Sequence, residues 1–209
     1  MTKAAVLLFL LFPVLLFAQR DTLIPRHTLS LAPLRLIDNS NPGVEFSYEY
    51  RHHAFRNTRV IAAYMTPAFS NMDQWSNFRG IRLGVEELFH TRSLPHGHYV
   101  GTGLVFNNVH FKRSGHYAID NEENTKIDTV QLHRTTIALN LFYTNQYTAG
   151  RFVFDISSGI GLKYRILKQD KPGWPVSYAR DIGAFTSLYT AGRNWAFNLP
   201  LSLRFGYRF

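Results

Sequence analysis

The last fifteen residues of the chain, 195–209, alternate strictly between apolar side chains and polar or small ones. The odd positions hold Trp195, Phe197, Leu199, Leu201, Leu203, Phe205, Tyr207 and Phe209. The even positions hold Ala196, Asn198, Pro200, Ser202, Arg204, Gly206 and Arg208. A side-chain period of two is that of a β-strand whose two faces differ in chemistry. The segment is therefore predicted to be a long strand with one apolar face.

The same alternation recurs in seven further segments. It is clear in residues 44–51, 80–89, 134–147 and 152–166, and weaker in 28–36, 58–65 and 99–112. Within 28–36, Pro33 removes a donor from the hydrogen-bond ladder, which predicts a bulge that switches parity. Within 99–112, Phe106 and Phe111 have opposite parity, which predicts a second bulge. The segment 58–65 is apolar on both faces.

The connections between these eight segments alternate in length. The long ones are 37–43, 66–78, 114–131 and 168–194, and the short ones are 52–57, 90–97 and 148–150. Short periplasmic turns and long extracellular loops are typical of outer-membrane barrels. We therefore expect an all-β fold, an eight-stranded antiparallel up-and-down transmembrane β-barrel, with both ends of the chain on the periplasmic side.

The N-terminal segment is typical of an export signal. Residues 4–17 form an apolar run behind Lys3, interrupted only by Pro13. This run is too short for a membrane-spanning helix, which takes about 20 residues, but it suits the core of a signal peptide. We predict a signal peptide over residues 1–18 and a single outer-membrane barrel domain over 19–209. The alternative is a buried N-terminal helix.

Alternation alone fits both a membrane barrel and a soluble one, because the two differ in which face points inward. The polar face carries small and ionisable residues, including Gly80, Gly84, Gly159, Gly161 and Gly206. The apolar face carries large side chains, with aromatics toward the strand ends, as in the interfacial girdles of membrane barrels. A secreted lipocalin-like barrel is the alternative, and it would need a polar outer face.

These features together resemble small bacterial outer-membrane β-barrel proteins of the OmpA/OmpX-like group, over nearly all of residues 28–209. The resemblance rests on the export segment, on hairpins ending in an aromatic residue and on the closing sequence Leu-Arg-Phe-Gly-Tyr-Arg-Phe. It implies that the barrel-assembly machinery reads Phe205, Tyr207 and Phe209, with Leu203 as an aliphatic fourth position. The loops contain no motif that indicates a particular member.

The polar face predicts an ion-pair network inside the barrel. The candidate residues are Glu45, Glu49, Arg82, Glu86, Arg134, Asp155, Lys163, Arg165 and Arg204. Because an isolated buried ion is very costly, opposite charges at similar depth should pair. We expect a plugged lumen and not an open pore. The alternative is a set of hydrated inward side chains without specific pairs.

The remaining charges bear on possible partners. The net charge is +9, and the basic residues outside the predicted lumen lie near both strand ends, where they suit lipid phosphates, including lipopolysaccharide. They are Arg51, Arg56, Arg59, Arg92, Arg151 and Arg208 near the turns, and Lys112, Arg113, Lys126, Lys168, Lys171, Arg180 and Arg193 near the loops. No single basic stripe indicates nucleic acid. A monomer is expected.

No catalytic residue, metal site or cofactor is expected. Ser158 lies on the predicted lipid face, but His133, the nearest histidine on the neighbouring strand, is roughly 24 Å away, beyond reach of a general base. His90, His96 and His98 lack a neighbouring carboxylate. The segment 120–124 lacks the spacing of a calcium loop. The absence of cysteine excludes disulfides and thiolate sites.

The predicted role is that of a structural or adhesive envelope scaffold presenting loops 66–78, 114–131 and 168–194. Trp75, Trp174 and Tyr178 are candidate contact residues in these loops, or they pack against other loops or lipid headgroups. A lipid-modifying enzyme that uses loop groups such as His116, Asp120, Ser177 or Asp181 is one alternative. A small-solute pore is another.

Overall fold

The computed structural model describes residues 26–36, 42–53, 55–66, 75–90, 97–119, 124–170 and 192–209. The first five strands are β1 (His27–Leu31), β2 (Gly43–His53), β3 (Arg56–Met65), β4 (Trp75–Phe89) and β5 (His98–Ile119). The others are β6 (Asn124–Ala149), β7 (Phe152–Gln169), β8 (Gly192–Asn198) and β9 (Leu201–Arg208). A short 3-10 helix spans Pro33–Leu36. The predicted signal peptide, residues 1–18, lies outside the described residues.

The strands form one closed antiparallel ring. From β1 to β7 each strand pairs with the next one along the chain, and β9 pairs with both β7 and β1. Both β8 and β9 pair with β7, end to end, so they are two halves of one strand that is interrupted at Leu199 and Pro200. The ring therefore has eight strands, and the predicted all-β, eight-stranded up-and-down barrel is confirmed. Within the described part of the chain, no helix is long and apolar enough to span a membrane.

The register of the ring fixes the stagger of its strands. A path of paired residues that starts at Gly161 on β7 can be followed around the ring, through β6, β5, β4, β3, β2, β1 and β9. It returns to β7 at Arg151, ten residues from its start. A closed sheet with such a stagger must have strands tilted to its axis. Eight strands leave an interior just wide enough for side chains to fill it.

The apolar parity of each strand faces outward, as predicted. Leu139 on β6 is 61% exposed and Trp195 on β8 is 71% exposed, whereas Glu45 on β2 and Arg59 on β3 are 0% and 2% exposed. The ring is therefore polar and ionic over much of its interior and apolar over much of its outer surface. We call the end of the barrel at the β2–β3, β4–β5 and β6–β7 connections the short-turn end, and the opposite end the long-loop end.

Neither predicted bulge occurs where the sequence suggested. Strand β1 ends at Leu31, and Pro33 begins the 3-10 helix, which needs no amide hydrogen at its first position. Strand β5 keeps one parity from Tyr99 to Phe111, with Val109 and Phe111 facing inward. Register shifts lie instead on β2, between Arg51 and His53, and on β4, between Ser76 and Arg79, where Asn77 has a φ of 55°.

The predicted loop 114–131 is mostly a β-ribbon. Register pairs continue without a break from Lys112↔Gln131 to Ile119↔Asn124, so only residues 120–123 connect β5 to β6. Strand β4 likewise begins at Trp75, inside the predicted loop 66–78. Both extensions lie at the long-loop end, and their sequences show no sustained alternation. The prediction from side-chain pattern therefore missed them.

Candidate functional site: the barrel lumen

Arg59 is the centre of the charged interior. It projects from β3 and donates hydrogen bonds to three carboxylates on three other strands. Its distances are 2.7 Å from Nη2 to Oε2 of Glu49, 3.0 Å from Nη1 to Oε2 of Glu86 and 2.5 Å from Nη2 to Oδ2 of Asp155. Glu49 and Glu86 are its direct cross-strand partners on β2 and β4. Asp155 reaches it from the opposite wall.

Arg204 on β9 provides the second bridge. Its Nη2 lies 3.2 Å from Oε1 of Glu86 and 3.6 Å from Oε1 of Glu45. Its Nη1 lies 3.7 Å from Oδ1 of Asp155, the residue opposite Arg204 in the β7–β9 ladder. Arg82 Nε lies 3.1 Å from Oε2 of Glu45. We call these seven residues the lumen cluster: Glu45, Glu49, Arg59, Arg82, Glu86, Asp155 and Arg204.

Neutral polar groups hold two carboxylates of the lumen cluster in place, those of Glu49 and Asp155. Asn57 Nδ2 donates to Oε1 of Glu49 at 3.0 Å, and Gln146 Nε2 donates to the same oxygen at 3.4 Å. Ser157 Oγ donates to Oδ1 of Asp155 at 2.9 Å. The oxygens of a buried carboxylate need several donors to offset the loss of water. These contacts provide such donors for Glu49 and Asp155, in addition to the arginines.

The structure brings together six of the nine residues proposed from the sequence. Arg134, Lys163 and Arg165 lie on β6 and β7, nearer the long-loop end, where Lys163 pairs with Ala138 and Arg165 with Thr136 in the ladder. Arg134 and Arg165 are buried, and Lys163 is partly buried. They line the lumen beside the lumen cluster.

The sequence analysis missed Arg59 and misplaced Arg208. Both were assigned to the rim near a turn, yet they are 2% and 9% exposed, and Arg208 Nη2 donates to Oε1 of Gln146 at 3.0 Å. The segment around Arg59 is apolar on both faces, so its parity could not be read. Pairing the 58–65 segment with 44–51 through a short turn would have placed Arg59 opposite Glu49.

Two apolar groups lie on either side of the lumen cluster. At the long-loop end, a layer of side chains, each at most 2% exposed, consists of Met65, Phe78, Val109, Phe111, Val130, Leu132 and Leu167. Nearer the short-turn end, Leu88, Tyr99 and Phe142 form a smaller group. Space for Phe142 depends on Gly101, because a Cβ there would lie 2.5 Å from Phe142 Cε2. Side chains therefore line the lumen in successive layers, and we call the one at the long-loop end the apolar layer.

The other candidate sites do not assemble among the described residues. Ser158 pairs with Tyr143 and His133 with Lys168, which separates Ser158 from His133 by ten ladder positions, or roughly 33 Å. His90 Nδ1 donates to the backbone oxygen of His98 at 2.8 Å, and His98 Nδ1 bonds to the Tyr143 hydroxyl. No group of three or more His, Cys, Asp or Glu side chains is placed to hold a metal ion in the described segments. His96, Asp120, Trp174, Ser177, Tyr178 and Asp181, and the side chains of Trp75 and His116, lie outside the described residues.

No protein-family model matches the sequence, and no curated protein is similar to it. The structure is similar to the crystal structure of a major outer membrane protein from Thermus thermophilus, with a TM-score of 0.45 and 11% sequence identity. The similarity covers 90% of this chain and 100% of that chain.

Proposed function

We propose that the chain is a monomeric bacterial outer-membrane β-barrel protein whose lumen is closed by its own side chains. In this role it is a structural or adhesive envelope scaffold that presents the connections at its long-loop end. The observation that carries the proposal is the direction of the side chains. Ionised groups are buried around the axis of the ring, while large apolar side chains cover the outer surface.

The outer surface supports a lipid environment. Leu139 and Leu141 on β6, Ile160 and Leu162 on β7, and Leu201 on β9 are each more than half exposed. Soluble monomers rarely expose contiguous apolar patches beyond a few hundred Å². A continuous apolar surface around a whole barrel would be unstable in water, whereas it is suited to hydrocarbon.

Aromatic side chains mark both edges of this surface. At the short-turn end, Tyr147, Phe152 and Phe209 face outward, and Tyr64 and Trp195 do so toward the long-loop end. Aromatic residues are enriched at the two water interfaces of membrane barrels. The ring also pairs its last strand with its first through β9 and β1, which suits a medium that cannot hydrogen-bond an open sheet edge.

The layered interior supports a closed lumen and argues against the pore alternative. A water-filled path along the axis would have to cross the apolar layer and then the lumen cluster, in which two arginines bridge carboxylates on different strands. The free-energy cost of removing these charged groups from water is offset only while the ion pairs remain intact. We propose no enzymatic activity, since Ser158 and His133 lie far apart on the outer surface.

Export and assembly complete the proposal. The segment 4–17, outside the described residues, would serve as the export signal. The OmpA/OmpX-like resemblance supports recognition of Phe205, Tyr207 and Phe209 by the barrel-assembly machinery. These side chains lie on the outer face, where such a factor could reach them in an unclosed sheet. Phe209 is also tied to β1, since its amide donates to the His27 oxygen at 2.8 Å.

The test uses purified chain 19–209. It should stay folded in detergent micelles, aggregate when the detergent is removed and show no sustained conductance in a planar bilayer. A monodisperse β-rich protein in detergent-free buffer would overturn the membrane location. A stable, defined single-channel conductance would overturn the closed lumen while leaving the membrane location intact.

A further inference from the structure

Four basic side chains form a row across the outer surface near the long-loop end. Arg79 on β4 pairs with His110 on β5, His110 pairs with His133 on β6, and His133 pairs with Lys168 on β7. Arg79, His110 and Lys168 are exposed, and His133 is partly exposed. All four lie on the outward parity of their strands. We call them the basic row.

The basic row lies just beyond the apolar surface. Arg79 is the next outward side chain after Ile81, and Lys168 is the next after Ile166. One outward step along a strand advances about 6.6 Å. If the apolar surface is in hydrocarbon, the basic row is therefore at the depth of lipid headgroups.

The two histidines at the centre of the row are held against each other. Their rings stack with centroids 4.1 Å apart and an interplanar angle of 7°. His133 Nε2 donates to Oδ1 of Asn108 at 2.8 Å, which directs its Nδ1 away from that partner. Burial, followed by the neighbouring charges of His110 and Lys168, lowers the pKa of His133. An anion bound at the row would offset this repulsion.

The charges that face the histidines from the adjoining strands are mostly positive. They are Arg79 and Lys112 from β4 and β5, and Lys168 from β7. Among the residues that the structure describes, one carboxylate adjoins the row, that of Asp170, and its Oδ1 accepts a hydrogen bond from the Gln131 amide at 2.9 Å. The row therefore has a net positive charge.

The opposite rim is arranged differently. Its outward Arg56 has its Nε 2.9 Å from Oε2 of Glu87, and the Thr58 hydroxyl donates to the other oxygen of Glu87 at 2.6 Å. This cation is neutralised by the protein itself. The contrast indicates that the row, unlike Arg56, is suited to an anion supplied by the surroundings.

We propose that the basic row binds the phosphate-bearing headgroup of a membrane lipid at the long-loop end. The row spans three strand spacings, about 14 Å, which accommodates a headgroup with two phosphates better than one with a single phosphate. Lys168 and Arg79 contribute the permanent charge of the row, and protonation of His133 adds to it as the pH falls. This inference rests on the proposed membrane location.

The test compares lipid retention by the folded barrel in detergent, measured by native mass spectrometry. The lipid probes are cardiolipin, phosphatidylglycerol and zwitterionic phosphatidylcholine. We expect retention in the order given, and an Arg79→Gln/Lys168→Gln double variant should bind cardiolipin roughly tenfold more weakly. Arg56→Gln at the opposite rim is the matched control and should retain cardiolipin as the unmodified protein does.

A second variant tests His133. Because the pKa of His133 is lowered, cardiolipin retention should increase as the pH falls below the range where histidine ordinarily protonates, and His133→Gln should remove most of that increase. Unchanged cardiolipin binding by the folded Arg79→Gln/Lys168→Gln variant would overturn the inference, as would full displacement of cardiolipin by inorganic phosphate. If neither the unmodified protein nor any of the variants, including Arg56→Gln, entered micelles, that result would instead overturn the proposed membrane location.

Discussion

Arg59 on β3 and Asp155 on β7 meet in the middle of the barrel, with Nη2 2.5 Å from Oδ2. In a ring of eight strands, β3 and β7 are four places apart and face each other across the lumen. One guanidinium therefore ties opposite walls together, and it also binds the strands on either side of its own through Glu49 and Glu86. At this depth the lumen is therefore narrow enough for side chains of opposite walls to form an ion pair.

The first prediction concerns this central arginine. Arg59→Met keeps much of the volume but leaves Glu49, Glu86 and Asp155 short of their main cation. Because removing one partner of a buried ion pair leaves an uncompensated charge, we expect the free energy of unfolding to fall by about 3–5 kcal/mol. The measurement is urea unfolding of the refolded barrel in detergent or lipid.

The control for that experiment is Arg56→Met. Arg56 also pairs with a carboxylate, that of Glu87, but it lies on the exposed rim. Exposed pairs contribute about 0–1 kcal/mol, so this variant should unfold nearly as the parent does. Equal losses of unfolding free energy for the two variants would show that burial in the lumen cluster does not increase the contribution of Arg59 to stability.

A second prediction tests the coupling across the lumen. Asp155→Asn keeps the shape of the side chain and removes its charge, and Ser157 can still donate to its Oδ1. Residues in one ionic network couple by about 0.5–3 kcal/mol. We expect the double variant Arg59→Met/Asp155→Asn to lose less free energy of unfolding than the two single variants lose in sum. Strict additivity would contradict a direct interaction between the two residues.

A third prediction concerns the packing of Phe142. Replacing Gly101 with alanine puts a Cβ 2.5 Å from Phe142 Cε2 and 2.7 Å from the backbone oxygen of Glu87. Overpacking of this kind costs about 1–3 kcal/mol. The same unfolding measurement should show this loss, and adding Phe142→Leu should recover part of it. If the alanine variant were as stable as the parent, the lumen at this level would be looser than the structure indicates.

Side-chain alternation predicted the ring because it is imposed by the two environments of a barrel wall. It was most informative in residues 195–209, where one face is uniformly apolar. It failed where that contrast is lost. Val109 and Phe111 face inward to the apolar layer, so apolar residues occur on both parities of β5 and mimic a bulge. The irregularity at Asn77 left no comparable trace in the sequence.

The charged interior was predictable by residue type but only partly by partner. Glu45, Glu86, Asp155 and Arg204 lie on strands with clear parity, so each could be assigned to the lumen. The stagger of the ring sets the depth at which residues on opposite walls meet, and so sets their partners, and no local pattern specifies that stagger. Arg59 combines both difficulties, since its strand has ambiguous parity and its third partner is on the far wall.

The last prediction tests which side of the wall meets hydrocarbon. Leu139 lies midway along the apolar face of β6 and is 61% exposed, so Leu139→Arg would place a cation within the lipid. An arginine at the midplane of a membrane barrel costs about 2–4 kcal/mol, falling to about 0–1 kcal/mol near the interfaces. Gln131→Arg, on the same face of β6 but beyond the apolar surface, is the matched control and should cost little. The measurement is urea unfolding in lipid vesicles. In a soluble barrel both positions would face water, so a cost at Leu139 no larger than at Gln131 would contradict the outward hydrocarbon contact on which the membrane location depends.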